Sequence, residues 1–92
     1  MPLSAIVYSK PSCAPCLWVK RTLEQHGVPF TELDVTEDAA AEQTVRDLYA
    51  SHRPGQMPAT PVTLLSTQEG VLTVFGADIR GHLRAAVASA AA

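Results

Sequence analysis

Ninety-two residues with a formal net charge of −2 provide for one small hydrophobic core and no second one, so residues 1–92 read as a single domain. The seven Lys and Arg residues are scattered at Lys10, Lys20, Arg21, Arg46, Arg53, Arg80 and Arg84, without the basic stripe and interleaved aromatics that nucleic acid would follow. No stretch nears the ~20 apolar residues of a membrane span and no basic-then-apolar leader opens the chain at Met1 and Pro2, so the expectation is a cytoplasmic protein with neither a membrane nor a nucleic-acid partner.

Residues 5–8, Ala-Ile-Val-Tyr, are rich in β-branched and aromatic side chains and read as a buried strand that ends in the turn Ser9-Lys10-Pro11-Ser12. A helix follows. Leu17, Val19 and Leu23 form its apolar set, Lys20 and Glu24 its polar one, and Gly27 with Pro29 supplies the stop. Residues 29–35 alternate apolar and polar, as a half-buried strand does. Thr36, Glu37 and Asp38 cap a second helix over residues 39–51, with Ala40, Val45, Leu48 and Tyr49 expected to face inward. Residues 52–58, with two prolines and a glycine, form a loop. Residues 62–66 and 71–75 are two strands joined by the turn Gln68-Glu69-Gly70, a hairpin. Asp78 is placed to cap a last helix through Ile79, Leu83, Ala86 and Val87, which fades into alanines. The predicted order is βαβαββα.

The chain's two cysteines stand three apart as Cys13-Ala14-Pro15-Cys16, at the junction of the first strand and first helix. Cys13 therefore lies at the positive end of the helix dipole, where unpaired backbone N–H groups can serve a thiolate. A cysteine in such a place, or in a Cys-x-x-Cys pair, has its pKa lowered from ~8.5 to about 3.5–7.5. Cys16 is one turn further on the same helix face, close enough for the two sulfurs to meet. Pro15 is tolerated because the first turn has no use for its missing N–H. Three other readings carry less. Zinc wants four ligands, and the chain has no second cysteine pair and no His-x3-5-His. Two inert buried thiols would not explain a proline between them at a helix mouth. A structural disulfide closing four residues would constrain little of the unfolded chain. No metal site is expected. Cys13, nearer the helix end and solvent, is the candidate nucleophile, and Cys16 the sheltered partner that resolves a mixed disulfide.

Three segments in the right order, residues 7–16 with the cysteine pair, Thr60-Pro61-Val62, and Phe75-Gly76-Ala77-Asp78 before the last helix, together resemble the glutaredoxin family over nearly the whole chain. That resemblance implies the thioredoxin fold, a four-stranded mixed sheet flanked by three helices, and the activity of a small monomeric dithiol oxidoreductase with no tightly bound cofactor. It implies that Pro61 is cis and packs beside the redox pair, with the backbone of Thr60 turned toward Cys13, where an extended substrate can pair with it. It further implies that Ala14 and Pro15 touch substrate and that Lys10 holds a carboxylate of a peptide or of glutathione. Gly76, Ala77 and Asp78 would receive the γ-glutamyl end of glutathione, although Ala77 stands where the family's usual second glycine would be. Pro15 occupies the place of the tyrosine of Cys-Pro-Tyr-Cys glutaredoxins and resembles the thioredoxin motif instead.

The approach Ser-Lys-Pro-Ser-Cys is most similar to the NrdH-redoxin branch, whose members take electrons from thioredoxin reductase and pass them to ribonucleotide reductase. The expected partners are thus disulfide-containing proteins, ribonucleotide reductase among them, with thioredoxin reductase or glutathione as reductant. The loop at residues 54–58, and the absence of a tryptophan from residues 73–75, depart from that branch toward glutathione-using or mycothiol-using relatives. A glutathione-dependent glutaredoxin acting on glutathionylated proteins is the alternative. An iron–sulfur carrier and a non-catalytic binding module are the alternatives of another class. Pro15 speaks against the carrier and the second cysteine against the module. An arsenate-reductase-like chain would be longer. Outside the motif, Trp18 is expected to anchor the core, its amphipathic ring also suiting an exposed rim. His26 is expected to supply a favourable charge at a helix end, and His52 and His82 to lie on the surface. Arg53 and Gln56 are candidates to touch substrate from the loop.

Overall fold

The computed structural model describes residues 3–91, with side chains through residue 87. Met1, Pro2, Ala92 and the side chains of the alanine-rich end lie outside the described residues. The elements are β1 (Ser4–Ser9), α1 (Ala14–Gln25), β2 (Phe30–Asp34), α2 (Ala39–His52), β3 (Val62–Thr67), β4 (Gly70–Phe75) and α3 (Arg80–Ala91). They form one sheet in the order β2-β1-β3-β4. β1 and β2 are parallel, β1 and β3 antiparallel, and β3 and β4 an antiparallel hairpin. This is the thioredoxin fold, with each expected element present.

Alternation along β1 distributes the core between the two faces of the sheet. Ala5 and Val7 pack with Val19 and Leu23 of α1, Leu65 of β3, and Ile79 and Leu83 around the start of α3. Tyr8 turns to the other face and meets Ala41, Val45 and Tyr49 of α2 with Val62 of β3. Burying a side chain the size of Leu65 or Leu83, both fully enclosed, contributes about 1.5–3 kcal/mol. α1 ends as its sequence foretells. Gly27 takes φ +68°, its N–H reaches Glu24 O at 3.1 Å, and Val28 N–H reaches Leu23 O at 2.9 Å. That pairing satisfies two carbonyls of the last turn. Asp38 caps α2, its Oδ1 accepting from Ala41 N–H at 3.0 Å.

Several inward assignments are corrected. The buried stripe of α2 is Ala41, Val45 and Tyr49, with Ala40 exposed. The i, i+4, i+8 spacing from Ala41 meets the sheet, and Ala40 stands a third of a turn away. In α1 the sheet-facing stripe is Cys16, Val19, Thr22 and Leu23, which turns Leu17 and Trp18 outward at 45% and 51% exposure. Trp18 is therefore a rim residue rather than a core anchor. Val87 is also half exposed, while Ile79 and Leu83 carry the contact. α3 begins at Arg80, and Leu83 N–H donates to Ile79 O at 2.9 Å. Ile79 thus holds the cap position and Asp78 stands one residue before it.

Candidate active site

Ser12, at φ +58°, swings the chain from the end of β1 into α1. This left-handed conformation costs a non-glycine residue roughly 1–2 kcal/mol. Cys13 is the N-cap of α1, and its sulfur accepts the Cys16 N–H at 3.1 Å. Pro15 stands in the first turn, where no hydrogen bond is lost. Cys13 and Cys16 form a disulfide, with S–S 2.08 Å and Cα–Cα 5.2 Å. Their exposure differs. Cys16 retains 2%, while Cys13 is partly open and Ala14 and Pro15 are exposed beside it.

β3 and the start of α3 bring two distant segments to this pair. The Thr60-Pro61 peptide is cis, Pro61 is fully buried, and Thr60 Oγ1 stands 3.8 Å from Cys13 Sγ. Pairing of Val62 with Phe75 carries the next turn alongside, and Gly76 N–H donates to Pro61 O at 3.0 Å. Gly76 takes φ +86°, a conformation that glycine adopts without a Cβ penalty. Ala77 packs against the core and Asp78 is exposed. The segment before Thr60 is tied down by Tyr49, whose hydroxyl donates to Ala59 O at 3.3 Å and whose ring meets Phe75 edge-on at 4.8 Å.

The loop residues also make contacts within the protein. The Arg53 guanidinium lies 4.8 Å over the Phe75 ring, and Gln56 N–H donates to Arg53 O at 3.2 Å. Arg53 therefore packs on the base of the hairpin. His52 also approaches Phe75, at 6.0 Å between centroids. His26 is the C-cap of α1, with Nδ1 2.9 Å from Thr22 O. Trp18 lies on the rim with the Arg80 guanidinium 5.6 Å over its ring, which links α1 to the start of α3.

The other flank of the pair holds residues that sequence reasoning missed. A cleft of about 620 Å³ is lined by Lys10, Pro11, Cys13 and Cys16, and also by Ser9, Lys20, Glu32 and Asp34. Ser9 is buried at 2% exposure, and its hydroxyl donates to Glu32 Oε2 at 2.6 Å. Lys20 Nζ donates to the same oxygen at 2.8 Å. The Lys20 ammonium, and after it the Ser9 hydroxyl, hold the Glu32 carboxyl below its ordinary value. Period-2 alternation, which puts Glu32 on the same sheet face as Phe30, was the available signal. Among the described residues, no three His, Cys, Asp or Glu side chains gather as a metal site, and no helix is long and apolar enough to cross a membrane.

A Cys-x-x-Cys disulfide capping the first helix of a thioredoxin fold, beside a cis-proline, defines a dithiol thiol–disulfide oxidoreductase. The glutaredoxin family model matches residues 5–63, and the chain belongs to the glutaredoxin family. A search of curated proteins returns no match. Among solved structures, the thioredoxin-like protein BC3987 is 29% identical over 87% of this chain and 96% of its own, with a TM-score of 0.60. The glutaredoxin-like NrdH-redoxin of Escherichia coli is 22% identical over 87% and 93%, at 0.65. A glutaredoxin of Archaeoglobus fulgidus is 15% identical over 90% and 84%, at 0.64. The last two share the fold.

Proposed function

We propose that this protein reduces disulfides of other proteins through Cys13 and Cys16 in a reducing compartment such as the cytoplasm, is recharged by thioredoxin reductase, and donates electrons to enzymes such as ribonucleotide reductase. The observation that carries the reading is the unequal placement of the two sulfurs: Cys13 is a partly open N-cap and Cys16 is almost fully enclosed. A thiolate at Cys13 gains from the helix dipole and the Cys16 N–H. It attacks a substrate disulfide, breaking that bond, forming a mixed disulfide and expelling one substrate thiolate. Cys16 then loses its proton, attacks Cys13 Sγ and releases the second substrate thiolate, so that two electrons pass from the dithiol to the substrate. Thr60 is suited to lie along an extended substrate and the Gly76 turn to flank it, with Ala14, Pro15 and Lys10 at the edge.

Thioredoxin reductase is favoured as reductant because Ala77 replaces the second glycine of a glutathione cradle and Pro15 the motif's aromatic residue. The NrdH-redoxin of Escherichia coli, described as having a thioredoxin-like activity profile, shares the fold. The test is NADPH oxidation in two coupled systems, one with thioredoxin reductase and one with glutathione and glutathione reductase. Rapid turnover with the first alone is expected. Turnover with the second alone would overturn the reading and make Lys10, Thr60, Gly76, Ala77 and Asp78 the contacts of a glutathione-dependent enzyme.

A further inference from the structure

The cleft on the β2 side of the pair holds a charged cluster to which disulfide exchange, as described, assigns no task. Glu32 Oε2 receives both the Ser9 hydroxyl and the Lys20 ammonium, and the Lys20 and Glu32 side chains retain 25% and 39% exposure. An ion pair so exposed adds little to stability, yet this one is anchored to a buried serine and held in one geometry. Lys20 follows Cys16 by four residues in α1, which places the two side chains about 5–6 Å apart at Cβ on one helix face. Both line the same cleft.

We propose that Lys20, held by Glu32 and Ser9, is a positioning residue that stabilises Cys16 as a thiolate. When an incoming thiolate attacks Cys13 Sγ, a new S–S bond forms to Cys13, the old one breaks, and its electron pair passes to Cys16 Sγ. In the opposite sense, the Cys16 thiol gives its proton to water, attacks Cys13 Sγ of a mixed disulfide and expels the substrate thiolate. Either way a negative charge resides on a residue with 2% exposure, where water screens it poorly and a fixed cation acts strongly. Lys10 and Asp34 are the other charged groups lining the cleft. Lys10 stands in the turn before Cys13. The Asp34 carboxylate is engaged by the Thr36 N–H and hydroxyl at 2.8 and 2.6 Å, leaving Lys20 as the cation tethered beside Cys16.

The inference rests on exchange through Cys13 and Cys16 and is independent of the reductant. Its test is the titration of Cys16 in the Cys13→Ser protein, read from the carbon-13 shift of Cys16 Cβ against pH, with thermal melts to confirm folding. Adding Lys20→Met is expected to raise the Cys16 midpoint by about half a pH unit or more, and Lys20→Arg to keep it near the parent value. Glu32→Gln is expected to raise it by a smaller amount, because the ammonium loses its tether. An unchanged midpoint in folded Lys20→Met overturns the proposal. A fall in Glu32→Gln, the sign of a cation that stays in place once its carboxylate is neutralised, overturns the holding role of Glu32. Should Lys20→Met fail to fold, Lys20→Gln is read in its place, and an unchanged Cys16 midpoint there overturns the proposal. No reductase enters the measurement, so its failure and that of the proposed reductant are separate results.

Discussion

The two flanks of the Cys13–Cys16 pair are built from different materials. Toward β3 and α3 the surroundings are the Thr60 hydroxyl and uncharged backbone: the Thr60-Pro61 peptide, with the Gly76 turn tied to it through the Gly76 N–H. Toward β2 they are ionisable side chains, Lys20 and Glu32, fastened to the buried hydroxyl of Ser9. Backbone groups can pair with any extended chain whatever its sequence, which suits the protein substrates of the proposed function. Side-chain charges are selective, and here they line the same cleft as Cys16, the sulfur with the smaller exposure. On the proposed mechanism, one flank receives the substrate and the other adjusts Cys16, the sulfur that bonds only to Cys13.

The largest effects should come from separating the sulfurs themselves. Cys13→Ser is expected to lower disulfide reduction at least about a hundredfold, whereas Cys16→Ser should keep the first attack and accumulate mixed disulfides, visible by mass spectrometry as a covalent adduct. Normal turnover by Cys13→Ser would remove the distinction between an attacking and a resolving sulfur.

The backbone flank can be disturbed through Gly76. Nothing lies within 4 Å of a Cβ built there, so Gly76→Ala meets no clash and its cost comes from φ +86°. A loss of about 1–2 kcal/mol in urea unfolding is expected, together with a raised KM for peptide disulfides. Unaltered stability would mean that the turn does not constrain the residue. Trp18→Ala tests the rim between the flanks. With half its surface in water and the Arg80 guanidinium over its ring, it should cost about 1 kcal/mol of stability, less than a buried neighbour such as Leu23, for which replacement by Ala costs about 2–5 kcal/mol.

The smallest effect belongs to the charged flank. Glu32 has a folded pKa below its unfolded value, chiefly through Lys20 and then Ser9. Its contribution to stability is therefore present above the unfolded pKa, about 4.3, and is lost as pH falls through the folded value. The difference in melting temperature between parent and Glu32→Gln should be small at pH 7 and shrink further toward pH 3. A difference that grows on acidification would contradict the sign.

Much of this protein was legible because the signals are local. A β-branched run, a proline in the first helical turn, Gly27 at a helix end and Asp38 at a helix start each act within a few residues. The strands and helices they delimit appear within one or two residues of their expected bounds. The motif segments carried the family and the expected cis Pro61 as well. Reading failed where a side chain's fate depends on which partner the fold supplies. Ala40 and Ala41 are equivalent by propensity, and only the position of the sheet under α2 chooses between them. Trp18 is apolar enough for a core, yet Cys16, Val19 and Leu23 already fill the face that meets β1. Asp78 has the chemistry of a cap, but the turn after Gly76 delays the helix to Arg80.

By itself, then, the sequence determined the order of elements, the place of the two cysteines at a helix mouth and the chemistry they can perform, since all of these arise from neighbours along the chain. The tertiary structure alone decided that Glu32, sixteen positions after Cys16, meets both Lys20 and Ser9 in the cleft they share with the two sulfurs. Those contacts exist because a parallel crossover sets β2 beside β1 under α1, a juxtaposition created by burial of the shared core.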